Sequence, residues 1–341
     1  MAKRLNKGTV VLEKKPKIIG NAAVVGKKEG EGPLAKEFDE IFEDTTMGEK
    51  SWEKAESLLL KNSVKKALSK AAVTPEEVDG IFSGDLLNQC MGSSFGLRDF
   101  GIPLGGLYGA CSTMALSLIM ASLSIETGGF DCTVATTSSH FCSAEKQFRY
   151  PLEYGGQRPP TAQWTVTGSG AAVLKDTNSS ISPYVDKVHL GKIRDYDITD
   201  ANNMGAAMAP AACETICSFL SDTGTSPSDY DIILTGDLGF VGSELLRQLT
   251  VREYGIDIAS VHNDCGMMIF NRDTQDVHAG GSGCGCSASV LCSYILNSIR
   301  KGKYKNVLFV ATGALMSPVS SLQGESIPGI AHAVLIKGGK N

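Results

Sequence analysis

The sequence predicts an α/β fold that is built from two similar halves, and two observations carry this prediction. Residues 74–86 recur as residues 226–238 with a constant offset, and each copy is a short apolar run that ends in Gly-Asp-Leu. Short apolar runs also alternate along the chain with longer segments of helical periodicity, which is typical of layered α/β folds with buried strands. The period is too long for a solenoid, so we interpret it as a pair of fused domains.

Three further pairs of strings keep the same order in both copies. They are Ala110-Cys111-Ser112 with Gly285-Cys286-Ser287, Val134-Ala135-Thr136 with Val310-Ala311-Thr312, and Ala172-Val173-Leu174 with Ala333-Val334-Leu335. We therefore predict an N-terminal half over residues 1–180 and a C-terminal half over residues 181–341. The N-terminal half includes a polar N-terminal segment and a loop at 147–164. A seam between two copies is a place where a site can form.

The elements follow from apolar periodicity and from the residues that start and stop helices. Residues 1–50 are interpreted as a charged surface segment, basic at first and then acidic, and Ser51 caps a helix that starts at Trp52. The first half continues with strands at 78–83 and 104–108, a helix at 112–126, and strands at 132–138 and 165–175. The second half contains helices at 203–221, 241–254 and 286–300, and strands at 231–235, 257–261, 266–270, 306–312 and 330–337.

Composition excludes several classes of protein. The chain has 341 residues, is 42% hydrophobic and 20% charged, and has a net charge of −5, which fits a globular protein that does not bind nucleic acid. Its 10 cysteines suit a reducing compartment. We expect no secretion signal, since residues 1–28 lack an apolar core, and no membrane span, since residues 101–125 read as a strand, a turn and a buried helix. No cysteine or histidine spacing predicts a metal site.

Cys111 is the sharpest candidate for chemistry. It follows Gly109 and Ala110 where a strand turns into a helix, and free amides at a helix start lower the pKa of a thiol and favour the thiolate. The alternative is a small buried thiol. A nucleophile needs a base, and His140 and His332, at predicted strand ends, are the candidates; either is alternatively structural.

Two other sets of residues are candidates for binding a ligand. Asp85 and Asp237 end the two repeated strands, where they either approach the seam or bond local backbone amides in a turn. Arg149 and Tyr150 lie in the predicted loop, where a guanidinium beside aromatic rings suits a flat carboxylate; the alternative is an interface loop.

The duplicated halves and the string Gly109-Ala110-Cys111-Ser112 resemble the thiolase superfamily, which includes the ketoacyl synthases. The resemblance implies a five-layer fold of two fused βαβαβαββ halves with a nucleophilic cysteine at Cys111. The synthase histidine is replaced around Gly236 and Asp237, and the synthase asparagine is missing from Gly283–Ser287. The resemblance therefore implies the fold without Claisen condensation, because the donors that stabilise the acyl oxyanion are lost.

Longer strings resemble the stage V sporulation protein AD family of spore-forming bacteria. These strings are residues 84–89, 147–151, 153–157, 262–266 and 325–328. The resemblance implies a role in sporulation and germination of the spore, as a dipicolinic acid binder that works without turnover or cofactor. It implies partnership with small membrane proteins encoded beside the family member, a homodimer, and a location that is cytoplasmic or peripheral at the spore inner membrane.

Two hypotheses follow from the sequence. In the first, the chain binds dipicolinic acid for uptake into the forespore as part of a membrane transport assembly. Acidic residues at Asp85 and Asp237 lead us to expect the calcium chelate as its preferred form, since hard oxygens suit calcium. In the second, the chain is an acyltransferase that uses Cys111 with His140 or His332.

Overall fold

The computed structural model describes residues 2–148, 158–179 and 182–339. Its strands are β1 Lys3–Arg4, β2 Thr9–Val11, β3 Lys17–Gly26, β4 Glu40–Phe42, β5 Gly80–Gly84, β6 Leu104–Gly106, β7 Cys132–Ser139, β8 Trp164–Thr165, β9 Gly168–Lys175, β10 Tyr184–His189, β11 Ile232–Thr235, β12 His262–Asp264, β13 Gly281–Ser282, β14 Asn306–Ala314 and β15 Gly329–Lys337. Its helices are α1 Lys27–Gly30, α2 Trp52–Ala71, α3 Met91–Leu97, α4 Thr113–Glu126, α5 Phe141–Phe148, α6 Met204–Thr223, α7 Gly239–Tyr254, α8 Cys265–Met268, α9 Cys284–Val290, α10 Leu296–Arg300 and α11 Pro318–Leu322.

The order of the strands repeats between the two halves of the chain. The main sheet runs β12-β11-β14-β15-β10-β3-β9-β7-β5-β6, so β6-β5-β7-β9-β3 is matched by β12-β11-β14-β15-β10. The two sets meet where Lys17 of β3 pairs with Tyr184 of β10. The same strand order on both sides of this junction is what a duplicated α/β unit produces.

Three apolar clusters show that the elements form five layers, as the resemblance to the thiolase superfamily implies. The central cluster packs α4 and the α9–α10 helix between the inward faces of the two sets of strands, including Ala135 and Leu174. The neighbouring residues Val134 and Val173 point the other way and pack under α2. The outer cluster of the second half covers its strands with α6 and α7. Alternation along each strand therefore assigns one face to the central helices and the other to an outer layer.

The repeated strings fold into repeated turns. Thr74 and Ser226 each begin a short helical turn, and their backbone amides donate to the carboxylates of Glu77 and Asp229 at 2.8 and 2.7 Å. This reciprocal capping satisfies amides at the start of each turn and explains why the repeat begins with the same residue types.

Several predicted elements are confirmed, and others are wrong. Ser51 accepts a hydrogen bond from the Lys54 amide and caps α2 as predicted. The prediction that residues 1–50 form only a surface segment is wrong, because β3 is a buried ten-residue strand in the middle of the sheet. Its apolar run is flanked by lysines, and this charge obscured the strand.

The predicted strands at 257–261 and 266–270 are also wrong. The chain forms one short strand, β12, and residues 266–268 belong to helix α8. The predicted loop at 147–164 begins later than expected, because α5 extends to Phe148. Within the described parts of the chain, no helix combines the length and apolarity needed to cross a bilayer.

Candidate functional site

Cys111 lies in a tight turn between β6 and α4, at the seam of the two halves. Ala110 adopts a left-handed backbone with φ 49°, and Ser112 Oγ donates to the Gly109 carbonyl at 2.6 Å. A Cβ at Gly313 of β14 would lie 2.5 Å from that same carbonyl oxygen. Glycine is therefore needed where β14 of the second half approaches the cysteine turn of the first half.

The carboxyl group of Asp237 is the polar partner of Cys111. It accepts hydrogen bonds from the Gly283 amide and the Thr312 hydroxyl, both at 2.8 Å, and it lies beside the Cys111 thiol. Burial raises the pKa of Asp237 to about 7. The sequence pointed to Asp237 but not to Gly283 and Thr312, because the seam brings them together from distant parts of the chain.

The prediction that the helix start favours a Cys111 thiolate is wrong. Burial, and next the neighbouring charge of Asp237, raise the pKa of the Cys111 thiol well above its ordinary value. The Gly283 amide acts in the opposite direction but does not outweigh these effects. A buried thiol beside a carboxylate is held protonated, so the site disfavours the nucleophilic form.

A cleft of about 40 Å³ opens beside the Cys111 sulfur, which is room for a few water molecules. Its walls combine apolar groups with Glu145, Thr165 and the rings of Tyr108 and Phe148. A wider groove of about 260 Å³ adjoins it, and the two spaces share Leu86, Tyr108, Phe148 and Met316. These shared residues therefore form the boundary between the cleft and the groove.

The Gln147 side chain holds the loop at residues 86–88, which borders the groove. Its Oε1 accepts from the Asn88 amide at 3.1 Å, and its Nε2 donates to the Leu86 carbonyl at 2.9 Å. The fastened loop continues into Gln89 and Cys90, which have φ values of 56° and 51°. Two successive left-handed residues other than glycine indicate that the loop is held in a strained conformation. The sequence analysis did not single out Gln147.

Asp85 fits the turn-forming alternative. Its Oδ1 accepts from the Leu87 amide at 2.9 Å, and its Oδ2 accepts from the Ser93 amide and hydroxyl, both at 2.7 Å. Burial raises its pKa. Its buried neighbour is Glu56 of α2, whose pKa is raised by burial and then by the charge of Asp85. Glu56 was missed, although its place on the apolar face of α2 is a signal that the sequence contains.

The rings of His140 and His332 make their hydrogen bonds away from Cys111. His140 Nε2 contacts the Thr45 carbonyl at 2.7 Å, and its Nδ1 accepts from the Cys142 amide at 3.1 Å. His332 Nδ1 accepts from the Gly191 amide at 3.2 Å, and burial lowers the pKa of His332 to about 4. Neither residue lines the cleft beside Cys111, so the geometry gives Cys111 no histidine base from this pair.

Arg149 and Tyr150 lie outside the described residues. Arg158, at the end of the same predicted loop, forms an ion pair with Asp276 at 2.8 Å, and its guanidinium lies 4.8 Å from the centre of the Trp164 ring. Among the described residues, no group of three or more histidine, cysteine or acidic side chains is arranged to hold a metal ion.

Comparison with known proteins identifies the family. The profile of stage V sporulation protein AD (SpoVAD) matches residues 6–337. The chain belongs to this family. It is 45% identical over 318 residues to stage V sporulation protein AD of Bacillus subtilis (strain 168), across 93% of this chain and 92% of the relative.

Solved structures of condensing enzymes share the fold. The 3-oxoacyl-[acyl-carrier-protein] synthase III of Aquifex aeolicus VF5 superposes with a TM-score of 0.59 at 14% identity, over 94% of this chain and 99% of the synthase. A variant of OleA from Xanthomonas campestris gives a TM-score of 0.61 at 13% identity, over 96% and 99% of the two chains. These likenesses confirm the predicted thiolase-like fold.

Proposed function

We propose that the chain is a non-catalytic thiolase-fold protein that binds dipicolinic acid, as its calcium chelate, for uptake into the developing forespore. It acts there as part of a membrane transport assembly, with small membrane proteins as partners. Membership of a sporulation family supports the process, and the resemblance found in the sequence supports the ligand. The observation that carries the proposal is the pairing of Cys111 with Asp237, described next.

The pairing argues against the acyltransferase alternative. An acyl transfer would require a thiolate, a proton acceptor and donors for the developing oxyanion. Here burial and the neighbouring charge of Asp237 favour the neutral thiol. His140 and His332 are engaged elsewhere. A buried neutral thiol that receives no base from these two histidines suits binding better than turnover.

The size of the cleft limits where a flat dicarboxylate enters. A space of about 40 Å³ is too small for a pyridine ring with two carboxylates. The ligand would therefore enter the cleft only when the cleft and the neighbouring groove open into one space. Tyr108 and Phe148 border both spaces and offer rings for stacking. Glu145 and Asp237 would repel the bare dianion, and calcium held by the ligand itself would remove this repulsion.

An exposed sheet edge supports the proposal of a homodimer. β6 ends the main sheet, carries no charged residue, and leaves Leu104 43% exposed. An uncharged edge strand has free amides and carbonyls that pair readily with another strand. Pairing of β6 with the β6 of a second copy would cover this edge. Light scattering after gel filtration should give twice the chain mass, and a monomer would refute this part.

Calorimetric titration of the purified chain with dipicolinate tests the ligand. We expect binding with calcium present, weaker binding with a chelator, and none with benzene-1,3-dicarboxylate, which lacks the ring nitrogen that chelates calcium. Equal affinity with calcium and with chelator would refute the chelate, and no binding in either buffer would refute the ligand.

Arg149 and Tyr150 remain predictions of the sequence. Loss of one charged contact in Arg149→Ala should cost about 1.5–3 kcal/mol, and an unchanged affinity would remove Arg149 from the site.

The same protein tests the alternative. After incubation with acyl-coenzyme A, intact mass should show no added acyl group. An adduct that maps to Cys111 would support the acyltransferase and overturn the non-catalytic proposal.

A further inference from the structure

A cluster of lysines lies at the end of the molecule opposite the Cys111 cleft. Both central helices start beside the cleft and end at this cluster: the Lys14 amide donates to Glu126 at the end of α4, and Lys301 follows the end of α10. With 14 residues, α4 alone is about 20 Å long. The cluster, here called the basic face, consists of Lys15, Lys17, Lys175, Lys301, Lys305 and Lys337.

Strand pairing places several of these residues in one row. Lys175 pairs with Lys17, Lys17 with Tyr184, Tyr184 with Lys337, and Lys337 with Asn306. Five adjacent strands spaced by about 4.8 Å make a row of about 19 Å. The row crosses the junction of the two halves, so the face is a property of the folded chain and not of one segment.

Tyrosine rings hold the ammonium groups of the basic face in place. Lys17 and Lys15 lie 4.2 and 5.6 Å from the centre of the Tyr184 ring. Nearby, Lys303 lies 4.9 and 5.3 Å from the rings of Tyr294 and Tyr304. Two ammonium groups on a single ring repel each other, and this repulsion would be relieved by an anion.

The acidic residues of this region neutralise only part of its charge. Asp186 pairs with Lys187 at 2.6 Å and with Lys337 at 3.4 Å, and Asp176 pairs with Lys14 at 2.8 Å. Among the residues the structure describes, Lys15, Lys17 and Lys175 have no carboxylate oxygen within 4.0 Å. Asp231, which accepts from the Lys305 and Asn306 amides, and Asp131, near Lys14, also lie in this region. Lysines still outnumber these four carboxylates, although the whole chain carries a net charge of −5.

We infer that the basic face docks on a bilayer that contains anionic lipid. The face is a broad sheet end, which suits a planar surface better than a single acidic peptide, and lysines beside tyrosine rings suit the headgroup region. Because the cleft lies about 20 Å away at the other end of α4, docking leaves the cleft open to its ligand. The inference rests on the membrane location proposed above and adds the surface that makes the contact.

Vesicle sedimentation tests the inference with the full chain. We expect binding to vesicles of phosphatidylcholine mixed with phosphatidylglycerol, no binding to phosphatidylcholine alone, and loss of binding as salt is raised. Each lysine near an anionic surface contributes about fivefold to partitioning. Lys15→Glu/Lys17→Glu should therefore weaken binding at least about twenty-five-fold, and Lys301→Glu/Lys305→Glu, at exposed positions, should do the same without touching β3.

Lys54→Glu/Lys65→Glu on exposed positions of α2 changes the net charge equally and should bind like the wild type. Equal binding to both vesicle types would overturn the inference. So would an equal loss of vesicle binding in the basic-face variants and in the control variant. The inference would also be overturned if the chain bound no vesicles but bound an acidic peptide at the basic face. Dipicolinate titration of the same variants is a separate readout: failure of the ligand leaves vesicle binding unaffected, and failure of vesicle binding leaves the ligand proposal intact.

Discussion

The buried Cys111 thiol lies beside the carboxyl group of Asp237, and the two side chains come from different halves of the chain. Both are buried, and burial raises the pKa of each group. The thiol is therefore held in its protonated form at the seam.

Replacing Asp237 by asparagine should make Cys111 more reactive. Removal of an adjacent buried negative charge lowers a thiol pKa by about 1–3 units, so the alkylation rate near neutral pH should rise about tenfold or more. Peptide mapping by mass spectrometry after iodoacetamide treatment measures Cys111 separately from the other cysteines. Asp229→Asn, at an exposed capping position, is the control. An unchanged rate in the folded variant would show that Asp237 does not restrain the thiol.

The Gln147 amide should control access to Cys111. Two hydrogen bonds of about 1 kcal/mol each hold the loop, so Gln147→Ala should raise the open population, and the Cys111 alkylation rate, by up to about thirtyfold. Gln248→Ala, which removes only a surface bond to Glu244, should leave the rate unchanged. Equal rates in both variants would mean that the cleft opens by another route.

Buried Glu29 should make stability fall as pH rises through neutrality. Its Oε1 accepts from the Thr167 amide, its Oε2 has no hydrogen-bond partner, and burial raises its pKa from 4.5 to about 7. The folded state therefore binds a proton that the unfolded state has lost above pH 4.5. This contribution is complete below pH 4.5 and disappears as pH rises through about 7.

Urea unfolding between pH 5 and 8.5 measures this effect. Between pH 4.5 and 7 the loss should approach about 1.4 kcal/mol per pH unit, and it should level off above pH 7. Glu29→Gln keeps the shape of the protonated side chain and should flatten the dependence, whereas Glu31→Gln on the exposed neighbour should not. A slope that is the same in both variants would assign the titration to other groups.

Packing between β5 and the loop after β6 should reject a side chain at Gly84. A Cβ there would lie 1.9 Å from the Leu107 carbonyl oxygen, and backbone cannot yield as a flexible side chain does. Gly84→Ala should therefore lower the free energy of unfolding by on the order of 3 kcal/mol or more. Gly106→Ala, whose Cβ meets no atom within 4 Å, is the control. A thermal midpoint shared by both variants would contradict the close approach.

Much of the fold was readable from sequence because it depends on local pattern and on repetition. The repeat of residues 74–86 at 226–238 predicted two similar units, and their strands indeed take the same order. Helices α4 and α6 were placed within two residues of their observed ends, and α2 at its observed start, because capping residues and apolar periodicity mark them. β3 was missed because lysines surround an apolar run that is buried only when neighbouring strands cover it.

The site depended much more on tertiary structure. The sequence by itself determined which side chains stand at strand ends and helix starts, including Cys111, Asp85 and Asp237. Only the tertiary structure decided that Cys111 lies beside Asp237 and that Asp85 bonds the amides of its own turn. It also decided that His140 and His332 make their hydrogen bonds away from Cys111. The physical reason is that a pKa depends on burial and on neighbours distant in the chain, and neither has a local signature in the sequence.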